Sequence, residues 1–131
     1  MPNRIPTKYR RQVEERANRN CELCGSPYID GIHHIIPRRK RIHRPETLIL
    51  SCKSHHDLIE DDSTGMQKQL QVELQQFYYN MGYIESNIRK LMGGKIYLYE
   101  DKISNIIQEH FARLNVNVYQ NDIKQALNTS V

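Results

Sequence analysis

The sequence predicts an α+β fold: a small metal-stabilised core of two strands and a helix, preceded by one helix and followed by a mainly helical extension. Three observations support this prediction. Two short runs rich in β-branched residues lie in the first half of the chain, Cys and His pairs flank them, and apolar residues of the second half recur at helical spacing. We place the boundary at residue 65, with the core over 1–65 and the extension over 66–131.

The N-terminal helix is predicted to begin at Thr7, which is a favourable N-cap residue. Tyr9, Val13 and Ala17 recur every four residues and form one apolar face of that helix. The opposite face carries three arginines that are placed to contact phosphate groups: Arg10, Arg11 and Arg16.

The two strands are predicted over residues 29–36 and 47–50, and Pro37 ends the first of them. A helix is predicted over 52–62, ending near Gly65. The extension shows no repeat and no catalytic motif, so we expect it to pack on the core or on a protein partner. Its elements are predicted as helices over 66–79, between Gly82 and Gly93, over 103–114 and over 119–127, with a short strand over 96–99.

Positive charge is concentrated in the first half of the chain. The formal net charge is +4; residues 1–60 contain 12 Lys and Arg against 7 Asp and Glu, whereas residues 61–131 contain 7 against 8. The first half is therefore where a polyanionic partner is expected. The hydrophobic fraction of 38% is low, and a small core of this kind is commonly stabilised by a metal.

The cysteines and the hydropathy indicate a soluble, cytoplasmic protein. All three cysteines precede residue 53, and an odd count in close pairs favours metal binding over a disulfide framework. No apolar run approaches the roughly 20 residues that cross a bilayer. The charged N-terminal segment is not followed by an apolar stretch, so it is not predicted to be a secretory signal.

Two pairs of metal-ligating residues predict a structural zinc site. Cys21 and Cys24 are separated by two residues, and Cys52 and His55 repeat that spacing 28 positions later. Two such pairs supply the four ligands of a tetrahedral zinc, and the long gap lets two distant segments meet at one ion. His56 is adjacent to His55 but points about 100° away on a helix, so it remains available for another role.

A second group of histidines indicates hydrolytic chemistry. His33 and His34 lie on a predicted strand and therefore point to opposite faces. Phosphodiester hydrolysis needs a base that deprotonates water and a cation that neutralises charge on the phosphate. A histidine with a pKa near 6.5 is a suitable base at neutral pH.

These residues resemble the HNH endonuclease family. The resemblance rests on HHIIPR from His33, on the segment from Glu46 to Leu50, and on CKSHHD from Cys52, while CELCG from Cys21 resembles the zinc-knuckle subset. It covers residues 8–62. It implies a ββα-metal core and a metal-dependent DNA endonuclease, of the kind encoded by phages and mobile elements, that nicks DNA or cleaves both strands.

The resemblance also implies residue roles. His34 matches the general base, His33 and His56 match ligands of a catalytic Mg²⁺ or Mn²⁺, and Glu60 matches a further ligand used by some relatives. Thr47 occupies the position of the middle Asn of the motif, which braces the loop that bears the base. Because Thr has a single hydroxyl, we expect a weaker brace.

The basic loop between the strands is expected to bind the DNA backbone with weak sequence specificity. Its DNA-binding candidates are Arg38, Arg39, Lys40, Arg41 and Arg44. Two alternatives remain open from the sequence. One is a zinc-stabilised DNA-binding module with little or no catalysis, and the other is a ribonuclease that uses the same residues.

Overall fold

Two antiparallel strands and six α-helices succeed one another in the computed structural model, within the residues that it describes, 4–98 and 104–128. The strands are β1 (Ile29–His34) and β2 (Leu48–Cys52), and the helices are α1 (Thr7–Arg16), α2 (Lys53–Glu60), α3 (Met66–Asn80), α4 (Glu85–Leu91), α5 (Asn105–Arg113) and α6 (Val116–Asn128). The α+β class is confirmed, with more helix than sheet. None of the helices in these two ranges is both long and apolar enough to cross a membrane.

Several element ends differ from the prediction for local reasons. Thr7 is the first helical residue of α1, and Pro6 occupies the N-cap position without a side-chain bond. Strand β1 ends at His34 because Ile35 and Ile36 turn into the core, where they are 0% and 1% exposed. Helix α2 begins at Lys53 because Cys52 is its N-cap, with a sulfur that accepts from the His55 N–H.

The strand predicted over 96–99 is not formed over residues 95–98, and Tyr99 lies outside the described residues. Instead, the Gln75 amide bonds to both backbone groups of Tyr97, each at 2.9 Å, and so replaces a strand partner. The helix predicted from residue 103 begins at Asn105 with Ser104 as its N-cap. Ile103 itself lies outside the described residues.

The two faces of the β1–β2 sheet pack against different parts of the protein. Leu48 and Leu50 of β2 pack with Val13 of α1 in a small cluster, whereas Ile49 belongs to the main core. His34 pairs with Leu48 and His33 with Ile49, so the two histidines point to opposite faces of the sheet, as strand geometry requires. The register is irregular between Ile29 and Gly31, which places Asp30 in a bulge.

One continuous core joins the strands to the C-terminal helices. Its buried members run from Cys21 to Ile123, so they lie on both sides of residue 65. Ile35 and Ile36, which follow β1, lie in the same cluster as Leu70 and Leu74 of α3. The C-terminal helices therefore cover the end of the hairpin and bury its apolar residues.

Arg16 faces inward, so the expectation that it contacts phosphate is wrong. Its guanidinium donates to the Glu22 carboxylate at 2.6 and 2.8 Å and to the backbone carbonyls of Pro45 and Leu48. Glu22 also accepts from the Leu50 N–H at 2.8 Å. The pair therefore fastens the end of α1 to β2 and to the Cys21–Cys24 turn.

Arg44 is buried as well, so its predicted role as a surface DNA contact is wrong. It donates to Glu46 at 2.8 Å, to the Tyr78 hydroxyl at 3.0 Å and to the Leu91 carbonyl at 2.7 Å. Tyr78 also donates to Glu46, which is 0% exposed. Burial alone would lower the pKa of Arg44, but Tyr78 and Glu46 outweigh that effect and raise it, so the guanidinium stays charged.

This buried network predicts a large effect of Glu46→Ala. Removing the carboxylate leaves a buried guanidinium without its counter-charge, so we expect the free energy of unfolding to fall by about 3–5 kcal/mol. Urea denaturation at neutral pH measures the change. Arg39→Ala, at an exposed position of the same loop, should stay within about 0.5 kcal/mol of the parent protein. A loss below about 1 kcal/mol for Glu46→Ala would contradict the role of the network.

Candidate metal centres and catalytic cleft

Cys21, Cys24, Cys52 and His55 form a Cys₃His cluster that could hold a metal ion. The Cys24 and Cys52 sulfurs are 3.7 Å apart, and His55 Nδ1 lies 3.5 Å from Cys52 Sγ and 3.9 Å from Cys21 Sγ. A tetrahedral zinc with bonds of about 2.3 Å to sulfur and 2.0–2.1 Å to nitrogen has ligand separations of about 3.5–3.8 Å. The cluster is therefore compatible with the predicted structural zinc.

The local backbone explains how the four ligands meet. The Gly25 N–H donates to the Cys21 carbonyl and the Cys21 N–H to the Ser26 carbonyl, each at 2.8 Å, which closes a tight turn. Gly25 has φ +79°, a conformation that favours glycine. The Glu22 N–H donates to the Leu50 carbonyl at 3.0 Å and holds this turn beside the end of β2, where Cys52 begins α2.

The Cys52 thiol is prepared for metal binding by its position at the start of α2. Burial alone would raise its pKa, but hydrogen bonds from the His55 backbone and ring, together with the neighbouring thiols, lower the pKa to about 7. A substantial thiolate fraction is therefore present at neutral pH, and the thiolate is the form that binds zinc.

His33, His56 and Glu60 form a second cluster with metal-ligand spacing. Glu60 Oε1 lies 3.2 Å from His56 Nε2 and 3.7 Å from His33 Nδ1, and the two imidazole centroids are 5.9 Å apart. His56 and Glu60 are one turn apart on α2, and His33 reaches them from β1. Imidazole nitrogens and a carboxylate form a donor set suited to a divalent cation.

Asp30 and Gln67, which the sequence analysis missed, orient the two imidazoles. Asp30 Oδ2 lies 2.8 Å from His56 Nδ1 and Gln67 Oε1 lies 2.7 Å from His33 Nε2. The Gln67 amide nitrogen donates to the Ile35 carbonyl at 2.8 Å, which turns the amide oxygen towards His33. These two acceptors favour a proton on His56 Nδ1 and on His33 Nε2, which leaves the ring nitrogen nearer Glu60 free to bind a cation.

Burial keeps His33 in the form that binds a cation. Loss of solvation lowers the pKa of His33, and the bond to Gln67 and the charge of Glu60 offset this only in part. A neutral imidazole next to a carboxylate and a second imidazole places three electron-pair donors around one point. The side chains of this cluster therefore fit a divalent cation.

His34 lies on the other face of β1 and is 9% exposed. Its imidazole packs edge-on against His43, with centroids 5.3 Å apart. The Thr47 hydroxyl accepts from the Arg44 N–H at 3.2 Å and donates to the Arg44 carbonyl at 2.9 Å, while the Thr47 carbonyl accepts from Ile35 N–H at 3.0 Å. Thr47 thus links the end of β1 to the loop that carries His43.

A cleft of about 1120 Å³ is bordered by both His33 and His34, which lie on opposite faces of β1. It is lined by His33, His34, His56 and Glu60 together with three arginines, Arg4, Arg10 and Arg39. Arg39, Lys40 and Arg41 of the basic loop are exposed, whereas the side chain of Arg38 lies outside the described part of the structure. The cleft therefore combines the second cluster, His34 and a positively charged rim.

Four of the predicted site residues form the Cys₃His cluster, and five line the cleft: His33, His34, Arg39, His56 and Glu60. The other described candidates, Thr47, Lys40, Arg41 and Arg44, are not among the residues that line it. Asp30 could have been noticed from the sequence, because it is an acidic residue within a predicted strand that is rich in β-branched residues. Nothing in the sequence pattern distinguishes Gln67 from the other glutamines of its helix. Comparison of the chain with protein-family models, curated proteins and solved structures found no match. The function must therefore be argued from the geometry of the site.

The Cys₃His cluster predicts that ligand loss destabilises the fold. Cys21→Ser should bind less zinc and lower the melting temperature, because the ion joins two segments that are distant in sequence. Metal analysis of the purified protein and thermal unfolding measure the two effects. Lys53→Ala is the control, since Lys53 is exposed and lies between Cys52 and His55. Zinc-free parent protein, with Cys21→Ser melting at the parent temperature, would show that the cluster is not a structural zinc site.

Proposed function

We propose that the protein is a metal-dependent DNA endonuclease of the HNH type. The observation that carries the proposal is the convergence of His33, His56 and Glu60 in one cleft with His34. The proposal is also supported by the element order β1, β2, α2, because the sequence resemblance implies two strands followed by a helix. The same region supplies the exposed arginines that a DNA backbone requires.

In the proposed mechanism, His34 accepts a proton from a water molecule that attacks the phosphorus of a backbone phosphodiester. A new P–O bond forms while the bond to the leaving oxygen breaks, and that oxygen takes a proton from solvent. His33, His56 and Glu60 would hold Mg²⁺ or Mn²⁺, and the ion would neutralise the charge that develops during the reaction. Asp30 and Gln67 hold the two imidazoles in the orientation that binding needs.

Thr47 braces the loop beside His34, so the replacement of the motif Asn does not by itself argue for a binding module without activity. Its hydroxyl contacts both backbone groups of Arg44, so a single side chain fastens the loop next to His34. The ribonuclease alternative uses the same cleft and differs only in the sugar that is recognised. Exposed charges without base-contacting side chains support DNA backbone recognition with weak sequence specificity.

Cleavage of supercoiled plasmid with added Mg²⁺ or Mn²⁺ tests the proposal directly. We expect nicked or linear product from the parent protein and strongly reduced product from His34→Ala. A single-stranded RNA of mixed sequence serves as the competing substrate. Cleavage of RNA alone would favour the ribonuclease, and DNA binding without cleavage under any divalent ion would favour the binding module.

The separate roles of His34 and His56 predict opposite responses to metal concentration. His34→Ala should lower the rate about 10²–10⁴-fold at every metal concentration, because an added ion cannot replace a base. His56→Ala should recover part of its activity as Mg²⁺ or Mn²⁺ increases, because higher concentrations refill a weakened site. Initial nicking rates across a metal titration measure both. Rescue of His34→Ala but not of His56→Ala would mean that the two roles are reversed.

The Gln67→Leu variant is expected to bind the divalent cation more weakly and to remain folded. The substitution removes the acceptor that orients His33, so Mn²⁺ affinity should fall about 10–100-fold. The Ile35 carbonyl keeps a donor, since Gln71 also bonds to it at 3.1 Å. Mn²⁺ titration by calorimetry measures the affinity, with Gln76→Leu, at an exposed position of the same helix, as control. Equal Mn²⁺ affinity for the two variants would remove Gln67 from the site.

A further inference from the structure

A second cavity, of about 280 Å³, adjoins the cleft on the side of the C-terminal extension. The two cavities share Pro37, Arg39, Asp62 and Gln67 as lining residues, so they are contiguous. We call the second one the basic cavity, because four of its lining residues are cationic and one is acidic: Arg39, Lys40, Lys68 and Lys95 against Asp62. Lys68 and Lys95 come from the extension, in which the sequence indicated no functional residues.

Lys95 is held in place by the segment around it. Tyr97 is 7% exposed and both of its backbone groups bond to the Gln75 amide. The Lys95 ammonium lies over the Tyr97 ring, 4.6 Å from its centroid. Lys95 therefore projects from a fixed stretch of backbone and not from a free loop.

The turn before Lys95 packs closely under the basic loop. Gly93 has φ +84°, and a Cβ added there would lie 3.2 Å from Ile42 Cδ1 and 3.3 Å from Ile36 Cγ2. The same Cβ would lie 3.4 Å from Lys40 Cγ. The close approach that this glycine permits brings the extension alongside Lys40, so positive charges from two distant segments line one cavity.

We propose that the basic cavity binds a backbone phosphate of the DNA strand that the cleft cleaves, close to the scissile phosphate. The proposal rests on the proposed function and adds a DNA contact from the extension. Lysine ammonium groups suit a phosphate as point charges, and a phosphate contact requires no side chain that reads a base edge. Continuity with the cleft lets one strand pass from the catalytic residues to the cavity without leaving the protein surface.

The experiment measures DNA affinity as a function of salt, with the His34→Ala protein in Mg²⁺ and a short mixed-sequence duplex. Each phosphate contact contributes about 0.9 to the log–log salt slope. Because the cavity is proposed to bind one phosphate, Lys68→Ala with Lys95→Ala should reduce the slope by about one unit. The matched control is Lys53→Ala with Lys124→Ala, which changes the net charge equally at exposed positions that line neither cavity.

The outcomes separate this inference from the proposed function. A slope that falls no more than in the control double variant overturns the basic cavity as a phosphate site, even if the parent protein cleaves plasmid. A reduced slope with no cleavage by the parent under any divalent ion supports the cavity and overturns the endonuclease. If the double variant melts early, the Lys68→Ala single variant should still show a smaller slope than the parent, and an unchanged slope there overturns the inference.

Discussion

The position of the loop between β1 and β2 depends on the buried guanidinium of Arg44. A charge removed from water must be fully paired, and its partners come from the loop itself, from α3 and from the end of α4. These bonds fasten the loop to two helices of the extension. The Thr47 hydroxyl bonds and the imidazole pair of His34 and His43 lie in or next to the part of the loop that is fastened in this way.

The start of α2 imposes the second constraint. Cys52 ends β2, caps α2 and belongs to the Cys₃His cluster, so the direction in which the helix leaves the sheet is fixed at this residue. Successive residues of a helix point about 100° apart. His55 therefore faces the Cys₃His cluster while His56 faces His33, and one helical turn contributes a side chain to each of the two candidate metal clusters.

The element order and the two ligand groups could be predicted because their signals are local. The two-residue spacing within each Cys and His pair determines which ligands can reach the same ion. The period at which apolar residues recur distinguishes a helix from a strand. Arg44 could not be placed from sequence, since its charge suggested a surface and its partners Tyr78 and Leu91 lie 34 and 47 positions away. The strand expected over 96–99 could not be excluded from sequence for the same reason. A distant side chain, that of Gln75, makes the hydrogen bonds to the Tyr97 backbone that a neighbouring strand would make.

The extension is coupled to the site through one helix face of α3. Gln67 and Gln71 both bond to the Ile35 carbonyl, just beyond His34, and Leu70 and Leu74 lie with Ile35 in the main core. On this face, Gln67 orients His33, and Leu70 and Leu74 bury Ile35, which directly follows β1. The hairpin and α2 supply the candidate ligands, but their precise orientation requires α3, so the proposed chemistry belongs to both parts of the chain.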